Sequence, residues 1–185
     1  MNIAVYLGAN YGNESIFEEK LKELGTWIGN NNHTLVYGGS KSGLMGVIAE
    51  SVLTNGGKAI GVEPEFFMSR ALQYDGLTEL IVTKNMSERK NKMIELAKAF
   101  ITFPGGTGTL EEVSEVMSRL SLENLNSPCI IYNLNVYYDS LKTLLEVMVE
   151  KGFTTQERLK NVYFANNLEE IEKIINAYIE NNINL

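Results

Sequence analysis

Short apolar runs bounded by Gly, Asn or Pro alternate along the chain with amphipathic stretches. That alternation is the pattern of parallel strands joined by crossover helices. It predicts strands at Ile3 to Leu7, Thr34 to Tyr37, Ala59 to Val62, Glu79 to Val82, Phe100 to Phe103 and Ile130 to Tyr132, with Val162 to Ala165 as a seventh. Between them apolar residues recur at helical spacing. Phe17, Leu21, Leu24 and Ile28 form one stripe, and Leu141, Leu144, Leu145, Met148 and Val149 another. Ile171, Ile174, Ile175, Tyr178 and Ile179 form a third, behind Asn167 and Glu170, which are spaced as an N-cap and its capping-box partner. Each stripe is a single face, as a helix lying on a sheet requires. The predicted class is therefore α/β, with a doubly wound, mainly parallel sheet of six to seven strands flanked by helices.

At 185 residues the chain fits one domain spanning 1–185, because domains cluster at roughly 100–200 residues. No Pro- or Ser-rich linker, low-complexity tract or repeat interrupts the alternation. Apolar residues at 44% and charged residues at 21% place it among folded chains and outside the disordered class. A net charge of −7 without a dense basic run argues against a nucleic-acid polymer as partner. A single phosphate is different, since a few backbone N–H groups and one Arg can hold it on an acidic protein. Cys129 is the only cysteine and lies in an apolar run, so it reads as core filling. The first residues carry no basic flank or cleavage site, and no apolar run approaches the ~20 residues needed to span a bilayer. A cytoplasmic protein with no membrane partner is expected.

In doubly wound sheets ligands bind beyond the carboxyl ends of the strands, where helix N-termini converge. Two glycine-rich turns fall at such places. After the second strand the chain reads Gly38-Gly39-Ser40-Lys41-Ser42-Gly43-Leu-Met-Gly46, with a helical pattern from about Leu44. Backbone N–H groups can turn toward an anion there, at a helix end carrying roughly half a positive charge. Lys41-Ser42 resembles the end of a Walker A loop, but that motif needs Gly directly before the Lys, and Ser40 stands there. An ATPase is excluded.

The second turn follows the fifth strand: Phe103-Pro104-Gly105-Gly106-Thr107-Gly108-Thr109-Leu-Glu111-Glu112. Gly105, Gly106 and Gly108 free the backbone, Thr107 and Thr109 offer hydroxyls, and Glu112 stands one turn inside the following helix. Two readings of Glu112 stand side by side. Thr109 and Glu112 are spaced as a capping box, which gives the Glu a structural role. Beside two glycine turns it is equally placed as a carboxylate at an anion site. Glu111 lies about 100° around the helix and is expected in solvent.

Met86-Ser-Glu-Arg89-Lys90-Asn-Lys-Met93 opens the helix between the fourth and fifth strands. Such a basic run is ordinarily a solvated face, yet this helix begins at the same sheet edge as both glycine turns, where an Arg can clamp a phosphate bidentately. Other constellations are missing. His33 is the single histidine and has no paired Cys or His, so no metal site is expected and His33 reads as a surface loop residue. A Ser-His-Asp triad and the dinucleotide fingerprint are likewise excluded.

The stretch 104–112 fits P-G-G-x-G-T-x-x-E, and Met86-x-x-Arg89-Lys90 precedes it at the expected distance. In these motifs, and over nearly the whole chain through Gly152-Phe153, the sequence resembles the LOG family of cytokinin riboside 5′-monophosphate phosphoribohydrolases, long labelled as possible lysine decarboxylases. The resemblance implies a Rossmann-like fold, a homodimer, no cofactor and no metal. It also implies release of free base and ribose 5-phosphate from AMP or an N6-substituted AMP. Carried over by motif position, the catalytic pair is Arg89 and Glu112. The candidate substrate and phosphate contacts are Gly38, Gly39, Ser40, Gly43, Met86, Lys90, Gly105, Gly106, Thr107, Gly108 and Thr109. The chain departs from the family pattern at Ser40, at Ala9-Asn10, and at Arg119 and Ser121, where Trp and Gln are usual and which would border the base.

Cleaving an N-glycosidic bond builds positive charge on the ribose carbon, so a carboxylate at C1′ would stabilise the transition state and activate water. That role is expected of Glu112, with Arg89 binding phosphate or assisting base departure. The alternative is a module that carries a phosphorylated cofactor without chemistry, as molybdenum-cofactor carriers of similar fold do. The decarboxylase label would require pyridoxal phosphate on a Lys, for which Lys41 is the loop candidate.

Overall fold

The computed structural model describes residues 1–70, 72–123 and 125–183. The strands are β1 (Asn2–Tyr6), β2 (Thr34–Tyr37), β3 (Lys58–Pro64), β4 (Glu79–Thr83), β5 (Ala99–Thr102), β6 (Cys129–Tyr132) and β7 (Val162–Ala165). The helices are α1 (Ser15–Asn30), α2 (Gly43–Thr54), the short α3 (Glu65–Met68), α4 (Met86–Leu96), α5 (Thr107–Leu122), α6 (Asp139–Glu150) and α7 (Leu168–Ile183). The strands form one sheet in the order β4-β3-β2-β1-β5-β6-β7 with every neighbouring pair parallel. This is the doubly wound α/β architecture that the alternation predicts, with the seventh strand formed.

Side chains alternate across the sheet and feed two cores. Ile3, Val5 and Leu35 pack with Leu21, Leu24 and Ile28 of α1 and with Ile48 and Val52 of α2. Ala4, Tyr6, Val36 and Val62 pack on the opposite face with Met93 of α4 and with Val113 and Val116 of α5. Leu21, Leu24 and Ile28 are fully buried, and each contributes roughly 1.5–3 kcal/mol on transfer from water. The i, i+3, i+4 stripe read from sequence is thus the docking face of α1. At α7, Asn167 Oδ1 accepts from the Glu170 backbone N–H at 2.9 Å, and Glu170 Oε2 accepts from the Asn166 N–H at 2.8 Å. The expected cap is in place.

Three expectations need correction. The apolar run ends at Val62, but β3 continues through Glu63 and Pro64, which pair with Val82 and Thr83. His33 is buried, not a surface residue: Asn32 adopts φ +55° and folds the chain back, so that the His33 ring packs edge-on against Trp27 at 5.3 Å. Burial, and then the charged amino terminus, lowers its pKa. In α6 only Leu145 is buried, and Leu144 of the expected stripe is 49% exposed, as is Val147 beside it at 40%, so that stripe is not spent on the sheet alone. No helix among the described residues is long and apolar enough to cross a membrane.

Candidate active site

β1 pairs with β2 on one side and with β5 on the other, so the winding direction reverses between β1 and β5. Chain leaving the carboxyl ends of strands at such a switch must diverge, which leaves a crevice. The turns after β1, β2 and β5 meet there. Gly43 adopts φ +56°, and a Cβ on it would collide with the Ala9 carbonyl. A Cβ on Gly105 would collide with the Thr109 hydroxyl and lie 2.8 Å from the Gly8 nitrogen. Both glycine turns therefore close onto Gly8 and Ala9, and only glycine permits the approach.

The crevice is a cavity of about 730 Å³. One end is lined by Gly8 and by Gly105 to Thr109 at the start of α5. Gly106 is the N-cap of α5 and no side chain caps the helix, so the first-turn N–H groups stay open to an anion. α2 likewise begins without a side-chain cap, behind Ser40 and Ser42, which also line the cavity. The other end is formed by Met45, Phe67 and Leu72, together with Ser40 and Glu63.

Arg89 and Glu112 bridge the two ends. Arg89 sits one turn into α4, and its Nη1 donates to Glu112 Oε1 at 2.6 Å, with both side chains buried. Its Nε donates to the Val62 carbonyl at 3.0 Å, which fixes the guanidinium plane against β3. Its third nitrogen, Nη2, makes no hydrogen bond among the described residues and lies beside Gly38, where a Cβ would come within 2.7 Å. Donors therefore remain for a ligand. Burial raises the Glu112 carboxyl above its ordinary pKa, and the charge and hydrogen bond of Arg89 oppose that shift. Burial, and then the Glu112 charge, raises the pKa of Tyr6, another wall residue.

The capping reading of Glu112 does not hold. α5 begins at Thr107, so Thr109 is already helical and is no N-cap, and Glu112 turns to Arg89 instead. The same T/N-x-x-E spacing thus has different outcomes at positions 109 and 167, decided by where the helix starts.

All the sequence-predicted site residues line the cavity except Gly39, Gly43 and Lys90. The two glycines shape the loop from behind its wall. Lys90 is about 100° around α4 from Arg89 and cannot face the same way. Its Nζ pairs with Glu111 at 2.7 Å and Glu115 at 2.8 Å across the surface between α4 and α5. Arg119 is held by Glu123 at 2.9 Å and Asn91 at 3.2 Å, and neither it nor Ser121 lines the cavity.

Sequence reasoning missed Tyr137 and Glu63, and noted Ala9-Asn10 as a departure from the family pattern without placing that turn in the site. The Gly8 to Asn10 turn forms the floor between the glycine loops, and its position after the central strand was the available signal. Tyr137 donates from its hydroxyl to the Gly105 carbonyl at 2.6 Å, tying the turn before α5 to the loop after β6. Glu63 lines the cavity at the end of β3, 2% exposed. Among the described residues no cluster of three His, Cys, Asp or Glu is arranged to hold a metal ion.

Residues 45–175 match the family described as "Possible lysine decarboxylase". A cytokinin riboside 5′-monophosphate phosphoribohydrolase of Rhodococcoides fascians is 37% identical over 169 residues, covering 91% of this chain and 85% of the relative. An enzyme of the same name from Arabidopsis thaliana is 34% identical, covering 96% and 83%. Among solved structures, the molybdenum cofactor binding protein of Rippkaea orientalis superimposes with a TM-score of 0.74 at 21% identity, covering 96% of each chain. The Moco carrier protein of Chlamydomonas reinhardtii gives 0.74 at 19%, covering 97% and 98%. At those identities the likeness is one of fold.

Proposed function

Since the chain belongs to the "Possible lysine decarboxylase" family, in which its curated relatives are cytokinin riboside 5′-monophosphate phosphoribohydrolases, we propose that it hydrolyses the N-glycosidic bond of a nucleoside 5′-monophosphate. AMP or an N6-substituted AMP is the substrate, and free base and ribose 5-phosphate are the products. The observation that carries this reading is the buried Arg89–Glu112 pair in the wall of a cavity that also holds an uncapped helix start.

The phosphate sits on the N–H groups of Gly106 to Thr109, where the α5 dipole favours negative charge. Anchored there, the sugar is held with C1′ toward Glu112, and binding energy remote from the reacting bond orients it. The bond from C1′ to the base nitrogen breaks, and the electron pair leaves with the base. Glu112 stabilises the positive charge growing on C1′ and takes a proton from the attacking water, whose oxygen forms the new bond to C1′. The proton that Glu112 removed from water passes to the departing nitrogen, which restores the carboxylate, so base and ribose 5-phosphate both leave neutral at the cleaved bond. Arg89 positions the Glu112 carboxylate, and its free Nη2 faces the substrate.

A carrier would need the loops but no carboxylate at the sugar. A Schiff-base decarboxylase needs an amine in the cavity, and no lysine among the described residues lines it; Lys41 instead stands 3.9 Å from Asp75. The chain acts as one catalytic domain in the cytoplasm, and the apolar residues Leu144 and Val147 exposed on α6 support association into a homodimer. Incubation with a panel of nucleoside monophosphates, followed by chromatography for free base, tests the reading. Release of adenine from AMP is expected, and intact nucleotides throughout the panel would refute it.

A further inference from the structure

Glu63 is a buried carboxyl whose Oε2 has no hydrogen-bond partner. Among the described residues the only other buried side-chain atom in that condition is Thr102 Oγ1, and Thr102 does not line the cavity. A carboxyl removed from water without a partner opposes folding, so a fold that keeps one at a cavity wall does so against its own stability. The strand register sets its orientation. β3 alternates, so Val62 turns into the core beneath α4 while Glu63 turns to the opposite side, beside Gly39. It follows directly on Val62, whose carbonyl holds Arg89.

The strand order sets β3 two strands away from β1 and three from β5, so the cavity has the uncapped start of α5 at one end and Met45, Phe67, Leu72 and Glu63 at the other. With phosphate at the first end, the flat base of a nucleotide falls at the second. Glu63 is the acidic residue of that end, since the other two on the wall, Glu111 and Glu112, belong to α5.

Resting on the hydrolase reading above, we propose that Glu63 is the specificity-determining acceptor for an exocyclic N–H of the base. The amino group of adenine supplies such a donor, and a singly N6-substituted adenine retains one. A base without it leaves the Glu63 oxygen unpaired in the complex as in the free protein, and a site built to bond a donor rejects an analogue that lacks it.

The test compares AMP with purine riboside 5′-monophosphate, which differs by the missing amino group. Affinity is measured in the Glu112→Gln background, where turnover is suppressed, and kcat/KM in the parent. The parent is expected to favour AMP by about tenfold or more in both measurements. Glu63→Leu should erase that preference by weakening AMP alone, while its melting temperature rises because a buried unpaired carboxyl has been removed; Glu63→Gln, which keeps an acceptor, should retain part of the preference. A parent that binds both compounds equally, or a Glu63→Leu protein that keeps the full preference or loses both ligands alike, overturns the assignment. If neither compound yields base, the hydrolase reading fails and the affinity comparison still decides the role of Glu63. If both yield base with equal kcat/KM and equal affinity, the role of Glu63 fails and the hydrolase reading stands.

Discussion

Arg89 Nη1 stands 2.6 Å from Glu112 Oε1, with 11% and 10% of the two side chains exposed. Two helices, α4 and α5, each bring one charge into an interior that would tolerate neither alone. Removing one partner of a buried pair leaves the other uncompensated and costs about 3–5 kcal/mol, whereas replacing both with apolar groups is often neutral. Arg89→Met and Glu112→Leu should each destabilise by that order, and the double variant by clearly less than their sum. Urea denaturation of the four proteins checks this, and simple additivity would show that the pair is not coupled.

Glu112→Gln keeps the size of the side chain and removes its charge. Turnover of AMP should fall by ~10² or more while AMP affinity changes little. Steady-state rates beside equilibrium titration separate the two effects. An undiminished kcat would remove Glu112 from the chemistry.

The pH profile follows from the direction of the Glu112 shift. Burial places the folded pKa above the ordinary 4.5, and the active form is the ionised one, so activity rises with pH through that raised value. The acid limb of kcat/KM should therefore lie above 4.5. Arg89 pulls the pKa down, so in Arg89→Met the residual activity should titrate at still higher pH. A limb that stays put in the variant would mean that another group titrates.

Gly105→Ala tests the anion seat. The new methyl would collide with the Thr109 hydroxyl and crowd Gly8, displacing the turn that opens α5. kcat/KM for AMP should drop by about tenfold or more, roughly 1.4 kcal/mol or more of lost transition-state binding. Adenosine, which lacks the phosphate, should be a poor substrate of the parent and suffer little further loss. Equal penalties on AMP and adenosine would place the anion elsewhere.

The strands were legible because a strand covered by helices on both sides is a short apolar run, and of the seven expected runs two match at both ends and four shift by one residue at their ends. Glu63 was hidden by the same rule: a charged residue after an apolar run reads as the solvated end of a strand, and nothing local shows that pairing continues to Pro64. Arg89 and Glu112 were each legible as candidates, 23 residues apart, but each also had an ordinary structural reading. Their contact depends on α4 and α5 lying side by side on one face, which the crossover from β4 to β5 sets and local sequence does not. Lys90 stands outside the cavity lining because a motif gives position along a helix, while facing the cavity depends on angle around it. His33 was misplaced because a positive φ at Asn32 reverses the chain.

β1 takes β5 as its inner neighbour, and the residues of that later strand and the turn beyond it complete a crevice whose other side was laid down near the amino terminus. During translation, Gly38 and Arg89 leave the ribosome well ahead of Gly105 and Glu112. A chain halted between them lacks Glu112 and the start of α5, so it carries only one side of the crevice and leaves the Arg89 guanidinium without its carboxylate.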